Sequence, residues 1–193
     1  MDVQSAESFQ TKMLLKTAMV ALFAAFIASG TFIAVPLPFS PIPIVLQNFF
    51  ALLSGIVLGP AMGALAVGLY LGAGALGFPV FAGAQGGIVH FFGPTGGYLV
   101  GYLVGTLLAG TVMGRPRINE KSGMARILVA VTAGILGIYI PGLLRLKMVL
   151  DASWAKTVSA GLLPFIAGDL LKGAIILAVA PRLRRIAARQ LES

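Results

Sequence analysis

From Met13 to Ala180 the chain is a succession of six apolar stretches, each too continuous to be the half-buried face of a soluble element. They run from about Met13 to Val35, Ile44 to Leu58, Ala61 to Phe78, Thr95 to Met113, Ala125 to Leu144 and Gly161 to Ala180. A membrane-spanning helix needs roughly 17–25 such residues. The second stretch is short, because prolines obscure its start. Charged residues make up only 10% of the 193-residue chain, against about 25% in a soluble domain, and the mean hydropathy is +0.97. The expected fold class is an all-α integral membrane protein, a bundle of six transmembrane helices. The expected organisation is one membrane domain over 1–193, with an N-terminal tail 1–12, spans over 13–181 and a basic C-terminal tail 182–193.

The same composition removes several kinds of chemistry. Without cysteine there is no disulfide framework and no thiolate nucleophile or ligand, and a single histidine excludes a two-histidine metal motif. "GAGALG" at 72–77 matches the dinucleotide fingerprint in letters only, since it lies inside a spanning stretch with no preceding strand. No GxxxxGK[ST] occurs, so ATP is not bound through a P-loop, and no serine sits in a nucleophile elbow. No enzyme activity and no cofactor are expected. The excess of 14 Lys and Arg over 6 Asp and Glu marks a cytoplasmic face rather than nucleic-acid binding, because cytoplasmic loops of membrane proteins are enriched in Lys and Arg.

Lys12 and Lys16 flank the start of the first span. Arg115, Arg117, Lys121 and Arg126 surround the fourth-to-fifth connection, and Arg182, Arg184, Arg185 and Arg189 follow the sixth. Six spans bring all three clusters to one side, so both termini are expected in the cytoplasm. The start of the chain reads as a cytoplasmic tail and not as a cleaved signal peptide. Arg145, Lys147 and Lys156 fall outside, as a local exception. The outer side also receives the proline-rich "VPLPFSPIPI" and the uncharged "FAGAQGGIVHFFGPTGGYLVG" at 81–101. Long loops commonly carry function. Glycine makes the second of these foldable, and irregular backbone at membrane depth survives where it is buried in protein or lines a cavity. This loop therefore reads as a lid that offers Gln85, Thr95 and Tyr98 to a ligand. His90, among apolar neighbours, reads as a packed or interfacial residue.

"FIAGDLLKG" carries the most chemical information. Asp169 and Lys172 stand three residues apart on one helix face, roughly 12–17 Å from an outer helix end at Gly161. Each buried charge costs about 2.5–3.5 kcal/mol on insertion scales. Two readings follow: an ion pair that locks the bundle, or a site for a small polar ligand. Gln47, with Asn48 beside it, reads either as an interhelical hydrogen bond of about 0.6 kcal/mol or as a pocket residue. Gly97, Gly101 and Gly105 form a small-xxx-small helix-packing stripe. Ala18, Ala21, Ala25 and Ala28 form another such face on the first span, either packed internally or docking a partner protein.

"PIPIVLQNF", "GFPVFAG", "GPTGGYLVG" and "GDLLK", in this order and spacing, resemble the BioY family, the biotin-capture subunits of energy-coupling factor (ECF) vitamin transporters. The resemblance covers about residues 13 to 181. It implies six helices in a bacterial cytoplasmic membrane and an outward-facing biotin pocket capped by the outer loops. The family's acidic and basic pair falls on Asp169 and Lys172, the glutamine of its "LQ" motif on Gln47, and its polar residue between glycines on Gln85. The alanine face of the first helix corresponds to the docking surface for the transmembrane coupling subunit, whose ABC-type ATPases supply ATP hydrolysis. Biotin offers a carboxylate, a ureido ring with two N–H donors and a carbonyl, and an apolar thioether ring. Asp169 suits the ureido N–H groups, Lys172 suits the ureido carbonyl or the carboxylate, and Phe81 and Tyr98 suit the ring. The alternatives are capture of another vitamin, or an intramembrane enzyme using Asp169 as acid or base.

Overall fold

A computed structural model describes residues 3–118 and 122–192. Lys121 of the fourth-to-fifth connection lies outside the described residues. Six helices make the bundle: α1 (Val3–Ser29), α2 (Gln47–Leu58), α3 (Pro60–Ala75), α4 (Gly96–Met113), α5 (Met124–Leu150) and, after a short helix α6 (Trp154–Gly161), α7 (Ile166–Glu192). Among the described residues four segments are long and apolar enough to cross a membrane, Gln10–Phe32, Gly96–Met113, Met124–Leu150 and Trp154–Leu191, while α2 and α3 are shorter.

The proline-rich connection is not a loop. Ala34–Leu37 (β1) and Ser40–Val45 (β2) pair as an antiparallel ribbon, in the register Ala34 with Val45 and Leu37 with Ser40. Both strands of a two-stranded ribbon are edges, where proline's missing N–H is tolerated, and Pro36 sits at the irregularity between Val35 and Leu37. The first helix therefore ends at Ser29, before Val35, and the second starts at Gln47, after Ile44. At 12 residues, α2 spans only about 18 Å of a hydrocarbon core about 30 Å thick. The ribbon occupies the level that a longer helix would have filled.

The last two spans also have different limits from those expected. α5 continues past Leu144 to Leu150, so Arg145 and Lys147 belong to its final turns. The sixth span begins at Ile166 and not at Gly161, because Gly161 closes α6 and Pro164 lies in the short turn Leu163–Phe165. Asp169 and Lys172 are thus only about 4.5 and 9 Å past the start of α7, much closer to its end than a start at Gly161 implied.

The glycine stripe of α4 packs on α5. A Cβ on Gly97, Gly101 or Gly105 would fall within 2.2–2.6 Å of the carbonyl oxygens of Pro141, Ile138 and Gly134. This close approach fixes α5, and with it Tyr139, against α4.

The opposite end is tied by Arg184, which belongs to the basic cluster after the sixth span and is 3% exposed. Its guanidinium donates to the carbonyl oxygens of Ile56 (2.5 Å), Met113 (3.0 Å), Gly114 (3.3 Å) and Arg115 (3.4 Å), and to Ser122 Oγ (3.0 Å). The final carbonyls of α2 and α4 have no partner within their own helices, and a cation there also meets the negative ends of both dipoles. Lys16 in the middle of α1 and Arg115 and Arg117 after α4 line one cavity near this end.

Candidate functional site

The short α2 leaves room beneath the ribbon for a cavity of about 380 Å³, within the range of about 300–1,000 Å³ usual for small-molecule sites. Its apolar wall comes from β1 and β2 and from Phe81, Leu99, Ile138 and Phe165. Polar side chains enter from Ser40 of β2, Gln47 and Asn48 of α2, Gln85, His90 and Thr95 of the 76–95 connection, Tyr98 and Tyr102 of α4, Tyr139 of α5 and Lys172 of α7.

The charged corner is a closed arrangement. Lys172 Nζ donates to the Val45 carbonyl (2.8 Å), Asn48 Oδ1 (2.8 Å) and Asp169 Oδ1 (3.1 Å), which uses all three ammonium hydrogens. Asn48 Nδ2 donates to the same Asp169 oxygen at 3.0 Å, and the Tyr139 hydroxyl donates to Oδ2 at 2.5 Å. Three helices thus converge on Asp169, which is 6% exposed and stands behind Lys172, outside the cavity wall. Lys172 faces the cavity. A buried carboxylate without such partners would be strongly destabilising.

Gln47, also buried, donates from Nε2 to the Val80 carbonyl at 2.7 Å and so holds the third-to-fourth connection against α2. That connection is anchored rather than loose. Phe81 is buried against Tyr70, His90 and Phe91, in space that a Cβ on Gly74 would take, 2.2 Å from its ring. The Phe81 carbonyl accepts a hydrogen bond from the Thr31 hydroxyl. Phe81 and Gln85 exchange backbone hydrogen bonds of 2.8 and 3.1 Å, closing a tight turn whose tip, Gly83 and Ala84, has positive φ. The tip and the exposed Gln85 side chain lie over the cavity, and Thr95 also lines it. His90 both packs on Phe81 and forms part of the wall.

Tyr98 is pinned in the first turn of α4. Its hydroxyl donates to the Gly161 carbonyl at 2.8 Å, and its ring meets Tyr139 edge-on at 6.1 Å. Ser40 Oγ donates to the neighbouring Ala160 carbonyl at 2.8 Å, so the end of α6 joins the ribbon to α4.

The BioY family model matches residues 4–189 of the chain. The chain belongs to the BioY family. Among the relatives, a probable biotin transporter BioY of Pyrococcus horikoshii is 40% identical over 169 residues, 88% of this chain and 96% of that protein. The biotin transporter BioY of Thermotoga maritima is 38% identical over 165 residues, 86% of this chain and 93% of its own. A solved structure, the S-component for biotin from an ECF-type ABC transporter, superposes with a TM-score of 0.79 at 26% identity. The match covers 96% of this chain and 95% of that one. Membership of a membrane transporter family agrees with the apolar helices: the protein is embedded in a membrane.

In this BioY chain Gln47, Gln85, Tyr98 and Lys172 share one cavity wall, and Asp169 backs it. Sequence reasoning noted Asn48 only as the neighbour of Gln47, and it passed over Tyr102 and Tyr139. Asn48 sits one residue from Gln47, yet its partner Asp169 is 121 positions away. Tyr139 is a lone hydroxyl in an apolar run, and nothing local ties it to Asp169. On α1, Ala18, Ala21 and Ala25 are exposed and Ala28 is half-buried, while Phe23, Ala24 and Ile27 face the core. The alanine stripe is therefore free of intramolecular packing over most of its length.

Proposed function

We propose that the protein is the biotin-capture subunit of an ECF vitamin transporter, taking biotin from the outer side and delivering it inward with an ATP-driven module. The observation that carries this reading is the cavity under the ribbon, apolar over most of its wall with one hydrogen-bonded cationic corner. The relatives are named as biotin transporters and the structural neighbour as a biotin S-component, so Asp169 as an intramembrane acid or base gives way to Asp169 as part of a binding site.

Asp169 and Lys172 neutralise each other. A ligand carboxylate placed against them would leave one buried charge uncompensated. The neutral ureido ring brings N–H donors and a carbonyl acceptor without net charge: its carbonyl can accept from the second Asn48 Nδ2 hydrogen, or from Lys172 in place of the Val45 carbonyl, and an N–H can donate to the Tyr139 hydroxyl oxygen. We therefore place the ureido end at this corner, the thioether ring against the aromatic wall, and the carboxylate toward the mouth beside Gln85. Asp169 holds Lys172 in position. Arg145 and Lys147, in the last turns of α5, and Lys156 on α6 add positive charge at this end, which attracts an anionic ligand.

The exposed alanine stripe docks the transmembrane coupling subunit, since small side chains allow close helix approach. The protein is one membrane domain of the cytoplasmic membrane, with the Lys16, Arg115 and Arg184 end and both termini in the cytoplasm. Single cysteines replacing Ser40 and Asn119 are expected to react with an impermeant maleimide from opposite sides; reaction from the same side would contradict this orientation. The binding function is tested by equilibrium dialysis of tritiated biotin against the purified protein, with thiamine and riboflavin as competitors. Saturable binding that only biotin displaces, with the ligand recovered unchanged, is expected. Displacement by another vitamin would reassign the ligand.

A further inference from the structure

A second cavity, of about 440 Å³, opens at the opposite end of the molecule. It lies between the middle of α1, the α2–α3 turn, the segment after α4 and the last turn of α7. Lys16, Arg115 and Arg117 line it together with Leu58, Met62 and Leu191, and no acidic side chain lines it among the described residues. The three cations are exposed. Pro116 is buried between the two arginines, and Arg184 holds the Arg115 backbone carbonyl, so the arginines project from an anchored segment. Three like charges around one cavity repel each other unless an anion joins them. Lys16 lies about 9 Å inside the apolar window that begins at Gln10. Arg115 and Arg117 follow Met113, the last residue of the apolar segment Gly96–Met113, so the two arginines stand at the border of the apolar slab, where lipid phosphates are found, and Lys16 shares their cavity from within it.

We propose that this cavity binds the phosphate of an anionic phospholipid. Arg115 and Arg117 suit bidentate pairing with phosphate oxygens, and Lys16 adds a third charge. Leu58, Met62 and Leu191 receive the glycerol and upper acyl chain. A free phosphate would use the same cations but leave the apolar wall without an occupant. Basic pockets between membrane helices on the cytoplasmic side are a recurrent setting for lipid headgroups.

The test uses the full chain in detergent, titrated with phosphatidylglycerol and followed by native mass spectrometry. Lys16→Gln, Arg115→Gln and Arg117→Gln together are expected to weaken phosphatidylglycerol binding about a hundredfold, at roughly fivefold per cation. Arg182→Gln, Arg185→Gln and Arg189→Gln together remove the same charge outside the cavity and are expected to leave it near the parent value. Equal loss in both triple variants would make retention an effect of net charge and overturn the proposal. Displacement of the lipid by equimolar inorganic phosphate would assign the site to free phosphate and overturn it equally. Tritiated biotin binding reports that each variant is folded; should the triple variant fail to assemble, Arg117→Gln alone is expected to show about a fivefold loss in the same titration.

Discussion

Lys172→Ala is expected to weaken biotin binding at least tenfold while the protein still assembles. The ammonium faces the cavity and is held there by three acceptors, and a charge-assisted hydrogen bond is worth about 1.5–3 kcal/mol. Asp169→Asn is expected to reach a similar loss by a different route. Asp169 does not line the cavity, but the substitution removes the counter-charge of Lys172 and leaves a single oxygen for Lys172, Asn48 and Tyr139, which now donate to two. Tyr139→Phe removes one bond to Asp169 and should cost about 0.5–1.5 kcal/mol, a several-fold effect. Titration of detergent-purified variants with tritiated biotin separates these outcomes. Unchanged affinity in both Lys172→Ala and Asp169→Asn would assign the pair to bundle stability alone.

Ala21→Trp and Ala25→Trp are each expected to abolish ATP-dependent biotin uptake and leave equilibrium binding nearly intact. Both alanines are exposed on α1, and the face that packs on the core is that of Phe23, Ala24 and Ile27. An indole on the exposed stripe therefore disturbs nothing inside the bundle but holds a partner helix away. Uptake into cells, co-purification with the coupling subunit and biotin binding should be measured on the same variants. Parallel loss of binding and complex formation would contradict the docking assignment, as would normal uptake by both.

How much of this could be read from the sequence depends on how local each feature is. The six helices were legible because apolar length is a property of consecutive residues. The Asp169–Lys172 pair and the Gly97, Gly101, Gly105 stripe were legible because helical spacing places their members on one face. The β1–β2 ribbon was not: alternate prolines remove the strand's donors, and only an edge position makes that tolerable, which no single strand announces. The burial of Arg184 was not legible because its acceptors, the ends of α2 and α4, are 128 and 71 residues distant. Asn48 and Tyr139 complete the charged corner only once α2, α5 and α7 have packed. The site lies at the convergence of elements that are individually plain, and that convergence is a tertiary fact.

The central claim is that biotin occupies the cavity beneath the ribbon, covered by the turn at Phe81–Gln85. Because the chain has no cysteine, a single introduced thiol reports one position without background. Ala82→Cys places it in the cavity wall, and Ala18→Cys places it on the exposed face of α1. Saturating biotin is expected to slow maleimide labelling at position 82 by at least tenfold, with no effect at position 18. Labelling at position 82 that is indifferent to biotin, in a variant that still binds it, would place the vitamin elsewhere and contradict the account.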